Sequence, residues 1–164
     1  MKKSILISLI SFCFIYSEAQ NATLYNPKAD ALSDINAAII KAKAEHKFVL
    51  LQGGGNWCKW CIEFHRFCTA DAQIDSIINR NFVWYHLNTS KENSNKPIFD
   101  KYDYPQRFGF PVFIVLNEKG ERIHTQNSEY LEDGKASYDK KKVMSFLDSW
   151  SPDALDPSKY EIKK

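Results

Sequence analysis

Two cysteines that stand three positions apart, Cys58 and Cys61, are the residues of this chain best suited to chemistry. Cysteines at this spacing can form a tight disulfide, exchange it with other thiols, or bind a soft metal ion together. Residues 48–51 precede them as an uncharged apolar run, typical of a strand buried on both faces of a sheet. Apolar residues at helical spacing follow them. The pattern predicts a strand, a sharp turn through glycines 53–55, and a helix that the cysteines open.

The two cysteines are expected to differ in reactivity. A helix N-terminus presents unpaired N–H groups and the positive end of the helix dipole, and both favour a thiolate over a thiol. Cys58 should therefore ionise readily and act as the nucleophile, and the positive charge of Lys59 should lower its pKa further. Cys61, one turn further along, should be more buried and should resolve a mixed disulfide formed at Cys58.

The elements around this motif alternate between helical and extended patterns. Residues 20–32 are expected to be a loose lead-in, followed by a helix that Ser33 caps and that ends near Glu45. We expect Thr69-Ala70-Asp71 to interrupt the cysteine helix. Beyond this break we expect a helical segment at 74–81, a second central strand at 82–88, a surface loop at 90–97 and a short helix within 98–108. A strand at 112–116, its hairpin partner at 121–125 and a last helix over 143–150 should follow.

The N-terminus has the pattern of a secretory signal peptide. Two lysines precede an apolar stretch at residues 4–16, and small residues lead to an expected cleavage after Ala19. Cys13 raises the question of a lipid anchor, but the bulky Phe12 stands where such a motif needs a small residue. Residues 1–19 are therefore expected to be removed, and the mature protein to be exported, with the periplasm as its compartment.

Length and charge limit the remaining possibilities. The chain has 164 residues, 44% of them hydrophobic, which suits one core. We expect a single domain over residues 20–164, with its core at about 33–150 and a polar C-terminal tail. The formal net charge is +2, and no basic cluster is interleaved with aromatic residues. Nucleic acid is not an expected partner, and a monomer is expected.

Removal of the signal peptide leaves an odd number of cysteines, with Cys68 as the additional one. On a continuous helix, the seven residues between Cys61 and Cys68 correspond to roughly 10 Å, which is too far for a disulfide. Cys68 is expected to be a buried core thiol, with a third redox thiol as the alternative.

The segment Trp57-Cys58-Lys59-Trp60-Cys61 after a buried strand, with Phe110-Pro111 before a later strand, resembles exported thioredoxin-like proteins. The resemblance covers roughly residues 33–150. It implies an α/β thioredoxin fold, in which a central mixed sheet has helices on both faces. It also implies a thiol–disulfide oxidoreductase whose only redox group is its own disulfide, without a metal or other cofactor.

The same resemblance assigns roles to individual residues. Cys58 takes the place of the attacking cysteine and Cys61 that of the resolving cysteine. Trp57 and Trp60 flank the substrate site, and Pro111 matches the family's cis-proline, since an X-Pro bond is where cis geometry costs least. Phe110 would then touch the substrate. The implied partners are exported proteins with cysteines and a membrane thiol–disulfide electron donor or acceptor.

Two departures from the family pattern bear on the chemistry. Thioredoxins usually carry a buried carboxylate where this chain has Gln52, whose amide cannot take a proton. Water or another group such as Glu63 would have to assist the resolving cysteine. The dipeptide Lys59-Trp60 matches neither typical thioredoxins nor strong oxidases, so the redox direction stays open.

The leading hypothesis is therefore an exported reductase of protein disulfides, with an oxidase or isomerase as the nearest alternative. A different class of function is a module that binds copper or zinc through Cys58 and Cys61. His65 could join these ligands, since it shares a helical face with them. The other three histidines are expected to be isolated. The glycine run lacks the ending of a phosphate loop, and Lys140-Lys141-Lys142 is expected to be a solvated helix start.

Overall fold

The structure, a computed structural model, describes residues 23–161. Four strands form one mixed sheet in the order β2-β1-β3-β4. The strands are β1 (Phe48–Gly54), β2 (Phe82–Asn88), β3 (Val112–Leu116) and β4 (Arg122–Asn127). β1 is parallel to β2 and antiparallel to β3, which is antiparallel to β4. β1 and β3 are buried along their whole length, as expected of uncharged apolar runs in the middle of a sheet.

Helices cover both faces of this sheet. They are α1 (Ala31–Ala44), α2 (Lys59–Ala70), α3 (Ala72–Asn81), α4 (Lys96–Lys101) and α5 (Lys140–Ser149), with short 3-10 helices at Pro105–Phe108, Ser128–Leu131, Asp153–Leu155 and Pro157–Tyr160. One apolar core lies between the sheet and the group α2, α3 and α5, and a second lies between the sheet and the pair α1 and α4. The predicted architecture, a mixed sheet with helices on both faces, is confirmed.

The strand predicted over residues 82–88 is confirmed as β2, but its predicted central position was wrong. β2 pairs only with β1 and lies at one edge of the sheet that the described residues form. Its aromatic side chains suggested an interior position, but Trp84, Tyr85 and His86 are only half-buried. The Tyr85 hydroxyl donates to the Asp34 carboxylate at 3.1 Å. Aromatic residues with polar tips cover this edge instead of filling the sheet centre.

The turn predicted through glycines 53–55 lies later in the chain, from Gly55 to Cys58, where the Cys58 N–H donates to the Gly55 carbonyl at 3.0 Å. β1 continues through Gly53 and Gly54, and the glycines with positive φ lie elsewhere, at 109, 120 and 134. Gly54 lacks a side chain because there is no room for one: a Cβ there would lie closer than 3.0 Å to both the Cys61 Sγ and the Tyr25 Oη. Close packing beside the cysteines, and not a sharp turn, requires glycine at this position.

Helix ends follow capping chemistry, with one correction. Asp30, not Ser33, caps α1, and its carboxylate accepts the Ser33 N–H at 3.1 Å. Asp71 separates α2 from α3 by accepting the N–H groups of Gln73 and Ile74. The expected break near Asp71 is thereby confirmed. α5 begins at Lys140, so the prediction that Lys140-Lys141-Lys142 forms a solvated helix start is confirmed.

The predicted signal peptide and Cys13 lie outside the described residues. Among residues 23–161, no helix is both long enough and apolar enough to cross a membrane.

Candidate active site

Cys58 and Cys61 form a disulfide at the N-terminal end of α2, with their Cα atoms 5.2 Å apart. Cys58 is the N-cap residue, and its Sγ accepts the Cys61 backbone N–H at 3.1 Å. The Cys58 side of the pair is 6% exposed, whereas Cys61 is fully buried. The first sulfur therefore lies where a helix end and a backbone donor stabilise a thiolate, and the second lies behind it.

The aromatic residue before the motif is held beside the disulfide. Trp57 is 60% exposed, and its Nε1 donates to the Thr89 carbonyl at 2.7 Å. Gly55 allows this approach, because a Cβ there would lie closer than 3.0 Å to the Trp57 ring and to the Thr89 oxygen. The indole is thus a fixed, solvent-facing wall next to Cys58.

Phe110 forms the other aromatic wall. Its ring meets the Trp57 ring edge-on at 5.7 Å between centroids and packs against the disulfide cluster. The Phe110–Pro111 peptide bond is cis, and Pro111 is buried at the start of β3. The structure therefore brings the Phe110-Pro111 pair next to Trp57 and the two cysteines, although the pair lies about fifty residues later in the sequence.

Trp60 also packs against the disulfide cluster, whereas Lys59 is exposed to solvent. The half-buried Trp60 packs edge-on against Tyr138 at 5.6 Å, and its backbone carbonyl accepts the Tyr138 hydroxyl at 3.1 Å. Lys59 is exposed and forms no salt bridge with a described residue. Its charge reaches Cys58 through solvent, where it is screened.

Sequence reasoning missed Tyr25. The expected loose lead-in instead places this side chain in the core, fully buried in one cluster with Cys58 and Cys61. Asn56 holds the segment in place, because its side chain accepts the Tyr25 N–H at 3.0 Å and donates to the Tyr25 carbonyl at 2.7 Å. The only signal in the sequence was an aromatic residue within a polar stretch. No local pattern connects Tyr25 to Asn56, which lies 31 positions later in the chain.

Gln52 occupies the position of the family's carboxylate and makes two hydrogen bonds. Its Nε2 donates to the Tyr25 hydroxyl at 2.7 Å and to the Cys61 carbonyl at 2.9 Å. Its Oε1 is buried without a partner. Gln52 thus connects β1, the N-terminal segment and the resolving cysteine through a neutral amide.

Glu63 is poorly placed to replace the carboxylate. Its two oxygens accept from the Arg66 guanidinium at 2.7 and 2.8 Å, and one also accepts the Ser137 hydroxyl at 2.6 Å. These hydrogen bonds, Arg66 first, lower the pKa of Glu63. The carboxylate is therefore engaged as an acceptor in an ion pair, which disfavours a role in taking a proton from Cys61.

His86 is not isolated, contrary to expectation. Its ring lies 5.0 Å from the His65 ring and 5.5 Å from the Tyr25 ring. Desolvation, followed by the nearby His65, lowers the pKa of His86 to about 3. Within residues 23–161, no group of three or more His, Cys, Asp or Glu side chains is placed to hold a metal ion. His65 therefore lies with His86 and Trp84 and does not join the cysteines.

Cys68 is a free and fully buried thiol in the core shared by α2, α3 and α5. Desolvation, with Asp71 and Asp75 adding to it, raises the pKa of this thiol. The interpretation as a buried core cysteine fits these surroundings.

A cysteine pair joined at the start of a helix, directly after the central strand of a β2-β1-β3-β4 sheet, defines a thioredoxin-fold dithiol protein. The family model described as a thioredoxin-like domain matches residues 35–131, more than half of the chain. The chain belongs to this family, and with its Cys58–Cys61 pair it is a thiol–disulfide oxidoreductase. The resemblance stated from the sequence is confirmed.

Solved structures agree on the fold. A disulphide isomerase from Xylella fastidiosa Temecula1 superposes with a TM-score of 0.67 at 22% identity, covering 76% of this chain and 94% of that chain. The oxidised C-terminal domain of DsbD from Neisseria meningitidis superposes with a TM-score of 0.51 at 18% identity, covering 74% and 97%. No curated protein matches the chain significantly.

Proposed function

We propose that this protein is an exported reductase of protein disulfides. In the proposed cycle, the Cys58 thiolate attacks a disulfide in an exported protein, and Cys61 resolves the mixed disulfide. A membrane thiol–disulfide partner then reduces the Cys58–Cys61 bond again. The observation that carries the proposal is the placement of Cys58 at the helix start beside two aromatic walls, with Cys61 buried behind it.

The surroundings of Cys58 support the direction of reduction. Strong oxidases owe their high potential to a reduced form that is strongly stabilised. In the described residues, Cys58 Sγ accepts one hydrogen bond, from the Cys61 N–H, and the nearest basic side chain in sequence is the exposed Lys59. This modest stabilisation favours a low potential.

The reduction potential of the Cys58–Cys61 pair tests this proposal. The mature protein is equilibrated with glutathione or dithiothreitol mixtures, and the tryptophan fluorescence beside the disulfide is followed. A Cys68→Ala variant, measured in parallel, excludes a contribution from the third thiol. We expect a value near that of thioredoxin, about −270 mV.

Other values would identify the alternatives. A potential near about −120 mV would mean an oxidase, and one near about −180 mV an isomerase, the activity named for the Xylella structure. The absence of any reversible couple would favour the binding of copper or zinc by the two thiolates. A Cys61→Ser variant, which cannot resolve mixed disulfides, would retain substrate proteins for identification.

Export and domain organisation are parts of the same proposal. The basic start, the apolar stretch and the small residues before Ala19 support cleavage at that site, with residues 20–164 as a single periplasmic domain that acts as a monomer. Expression of the full chain in a bacterial host, followed by fractionation and N-terminal sequencing, is expected to find Gln20 as the first residue. A lipidated Cys13 or an uncleaved chain would contradict this part alone.

A further inference from the structure

The orientation of the Gln52 side chain is fixed by chemistry. The Cys61 carbonyl oxygen can only accept a hydrogen bond, so the amide group 2.9 Å from it must be the NH₂ of Gln52. The second hydrogen of this NH₂ then points to the Tyr25 hydroxyl at 2.7 Å. In this pair Gln52 is the donor and the Tyr25 oxygen is the acceptor.

The Tyr25 hydroxyl consequently keeps its own hydrogen available. In the disulfide form, no acceptor among residues 23–161 takes that hydrogen. The side chain is fully buried, so water does not readily serve as the partner. A buried hydroxyl that is held by one donor and has a free hydrogen is suited to bind a new acceptor.

The sulfur of Cys61 lies beside the Tyr25 hydroxyl and becomes an acceptor on reduction. The Tyr25 Oη and the Cys61 Sγ border the same small space, because a Cβ on Gly54 would lie closer than 3.0 Å to both. Tyr25, Cys58 and Cys61 also form one buried cluster. When the disulfide opens, the Cys61 sulfur becomes a thiol or thiolate, and a thiolate is a much stronger acceptor than a disulfide sulfur.

We propose that the Tyr25 hydroxyl donates a hydrogen bond to the Cys61 sulfur in the reduced protein and thereby stabilises the resolving thiolate. This inference rests on the proposed function. Burial raises the pKa of Tyr25, so the residue stays a hydroxyl at neutral pH. Tyr25 can therefore donate a hydrogen bond but cannot serve as a base.

The resolving step balances without any further reactant. Cys61 first loses its proton to solvent, and the Tyr25 hydrogen bond lowers the free energy of the resulting thiolate. The thiolate attacks the Cys58 sulfur, the Cys58–Cys61 bond forms, and the bond between Cys58 and the substrate sulfur breaks. The substrate sulfur leaves with the electron pair and takes a proton from solvent. The dithiol loses two electrons, and the substrate disulfide gains them.

A two-phase reaction separates the two cysteines. The reduced protein is mixed with dithionitrobenzoate, an aromatic disulfide that releases a coloured thiolate. The first release reports attack by Cys58, and the second reports attack by Cys61 on the mixed disulfide. In Tyr25→Phe, we expect the pH midpoint of the second phase to rise by about one unit. Below the midpoint, the rate of the second phase should therefore be about tenfold lower than in the unsubstituted protein. The first phase should keep its midpoint.

Tyr138→Phe is the matched control. Tyr138 is also a buried tyrosine, and it lies just before α5, but its hydroxyl donates to the Trp60 carbonyl on α2 and not to a sulfur. We expect its second-phase midpoint to stay unchanged. An unchanged midpoint in Tyr25→Phe, or equal shifts in both variants, would overturn the inference alone. Absence of both phases in the unsubstituted protein would overturn the proposed function, and this inference with it.

A measurement on the unsubstituted protein covers the case in which Tyr25→Phe fails to fold. With ¹³C-labelled tyrosine, the ring carbon that bears the hydroxyl reports its hydrogen bonding. We expect the Tyr25 signal to move on reduction and then to titrate together with Cys61. A Tyr25 signal identical in both redox states would overturn the inference.

Discussion

The two ends of helix α2 each hold a cysteine, and the two thiols have opposite surroundings. Cys58 caps the start of the helix and accepts a backbone N–H, whereas Cys68 lies near the end, among apolar side chains of the core. Their exposures differ little, at 6% and 0%. The contrast lies in what surrounds each sulfur. At the start, unpaired N–H groups favour a thiolate; at the end, burial and two aspartates raise the thiol pKa.

The middle of α2 resembles its C-terminal end, because burial favours neutral side chains at both places. His65 lies between the two cysteines, and desolvation lowers its pKa, so the neutral form is favoured there as well. On the buried side of α2, beyond its first turn, His65 and Cys68 therefore both favour their neutral forms. A single helix thus places one sulfur where a thiolate is stabilised and another where the neutral thiol is favoured.

The largest expected effect comes from removing the reactive end. Cys58→Ser should reduce disulfide exchange to the rate measured without protein, because a serine hydroxyl does not ionise near neutral pH and cannot form a mixed disulfide. An insulin reduction assay with dithiothreitol measures this rate. Residual activity well above background would mean that Cys61 or Cys68 can act as the nucleophile. This outcome would contradict the contrast drawn between the two ends of α2.

A steric change beside the disulfide should have the next largest effect. Gly54→Ala places a Cβ against the Cys61 sulfur and the Tyr25 hydroxyl, and we expect it to lower the unfolding free energy by ~1–3 kcal/mol. It should also change the reduction potential. Denaturant titration and redox equilibration check the two effects.

Gly53→Ala is the control for this substitution. Its Cβ would lie 3.1 Å from the Phe99 and Val112 side chains and away from the cysteines. A smaller loss of stability and an unchanged potential are expected. Equal potentials in Gly54→Ala and the unsubstituted protein would show that the redox pair tolerates displacement of its surroundings.

Acid should lower the unfolding free energy through His86, which lies on β2 beside His65 of α2. Its pKa of about 3 in the fold lies below the ordinary value of about 6.5, so the unfolded chain binds more protons between these pH values. The contribution of His86 to the unfolding free energy should therefore have its full value above about pH 6.5. Below this pH, the unfolding free energy should fall by up to about 1.4 kcal/mol per pH unit. Urea titrations between pH 7 and 5 measure this slope.

His86→Phe keeps a ring at this position and should reduce the slope in the same pH range. The matched comparison is His46→Asn, because His46 is exposed and asparagine suits its positive φ. A slope that is identical with and without His86 would contradict the assignment of this acid sensitivity to His86.

The smallest expected effect comes from the inert end of the helix. Cys68→Ala should leave disulfide exchange unchanged and lower the unfolding free energy by only about 1 kcal/mol, the scale for removing one heavy atom from a core. In the native protein, Cys68 should also resist alkylation until denaturant is added. Loss of activity in Cys68→Ala, or rapid alkylation of Cys68 in the folded protein, would assign it a redox role.

Local patterns were sufficient to predict much of the fold. The apolar runs of β1 and β3, the helix opened by the cysteines and the break near Asp71 all follow from short-range spacing, and the motif with the later Phe110-Pro111 pair indicated the family. The edge position of β2 could not be predicted this way, because Trp84 and His86 have the residue types of an interior strand. Which strands flank a given strand depends on the order of chain crossovers, and no local pattern records it.

The sequence by itself determined the chemistry of this protein: two thiols at a spacing that closes a small ring, at the start of a helix, where unpaired N–H groups favour a thiolate. Only the tertiary structure decided what surrounds them. Tyr25 reaches the cysteines from a segment without a regular pattern. The Gln52 amide connects Tyr25 to Cys61, because it donates to the Tyr25 hydroxyl and to the Cys61 carbonyl. Such contacts join residues far apart in the chain, and they depend on how close-packed side chains fill the space above Gly54.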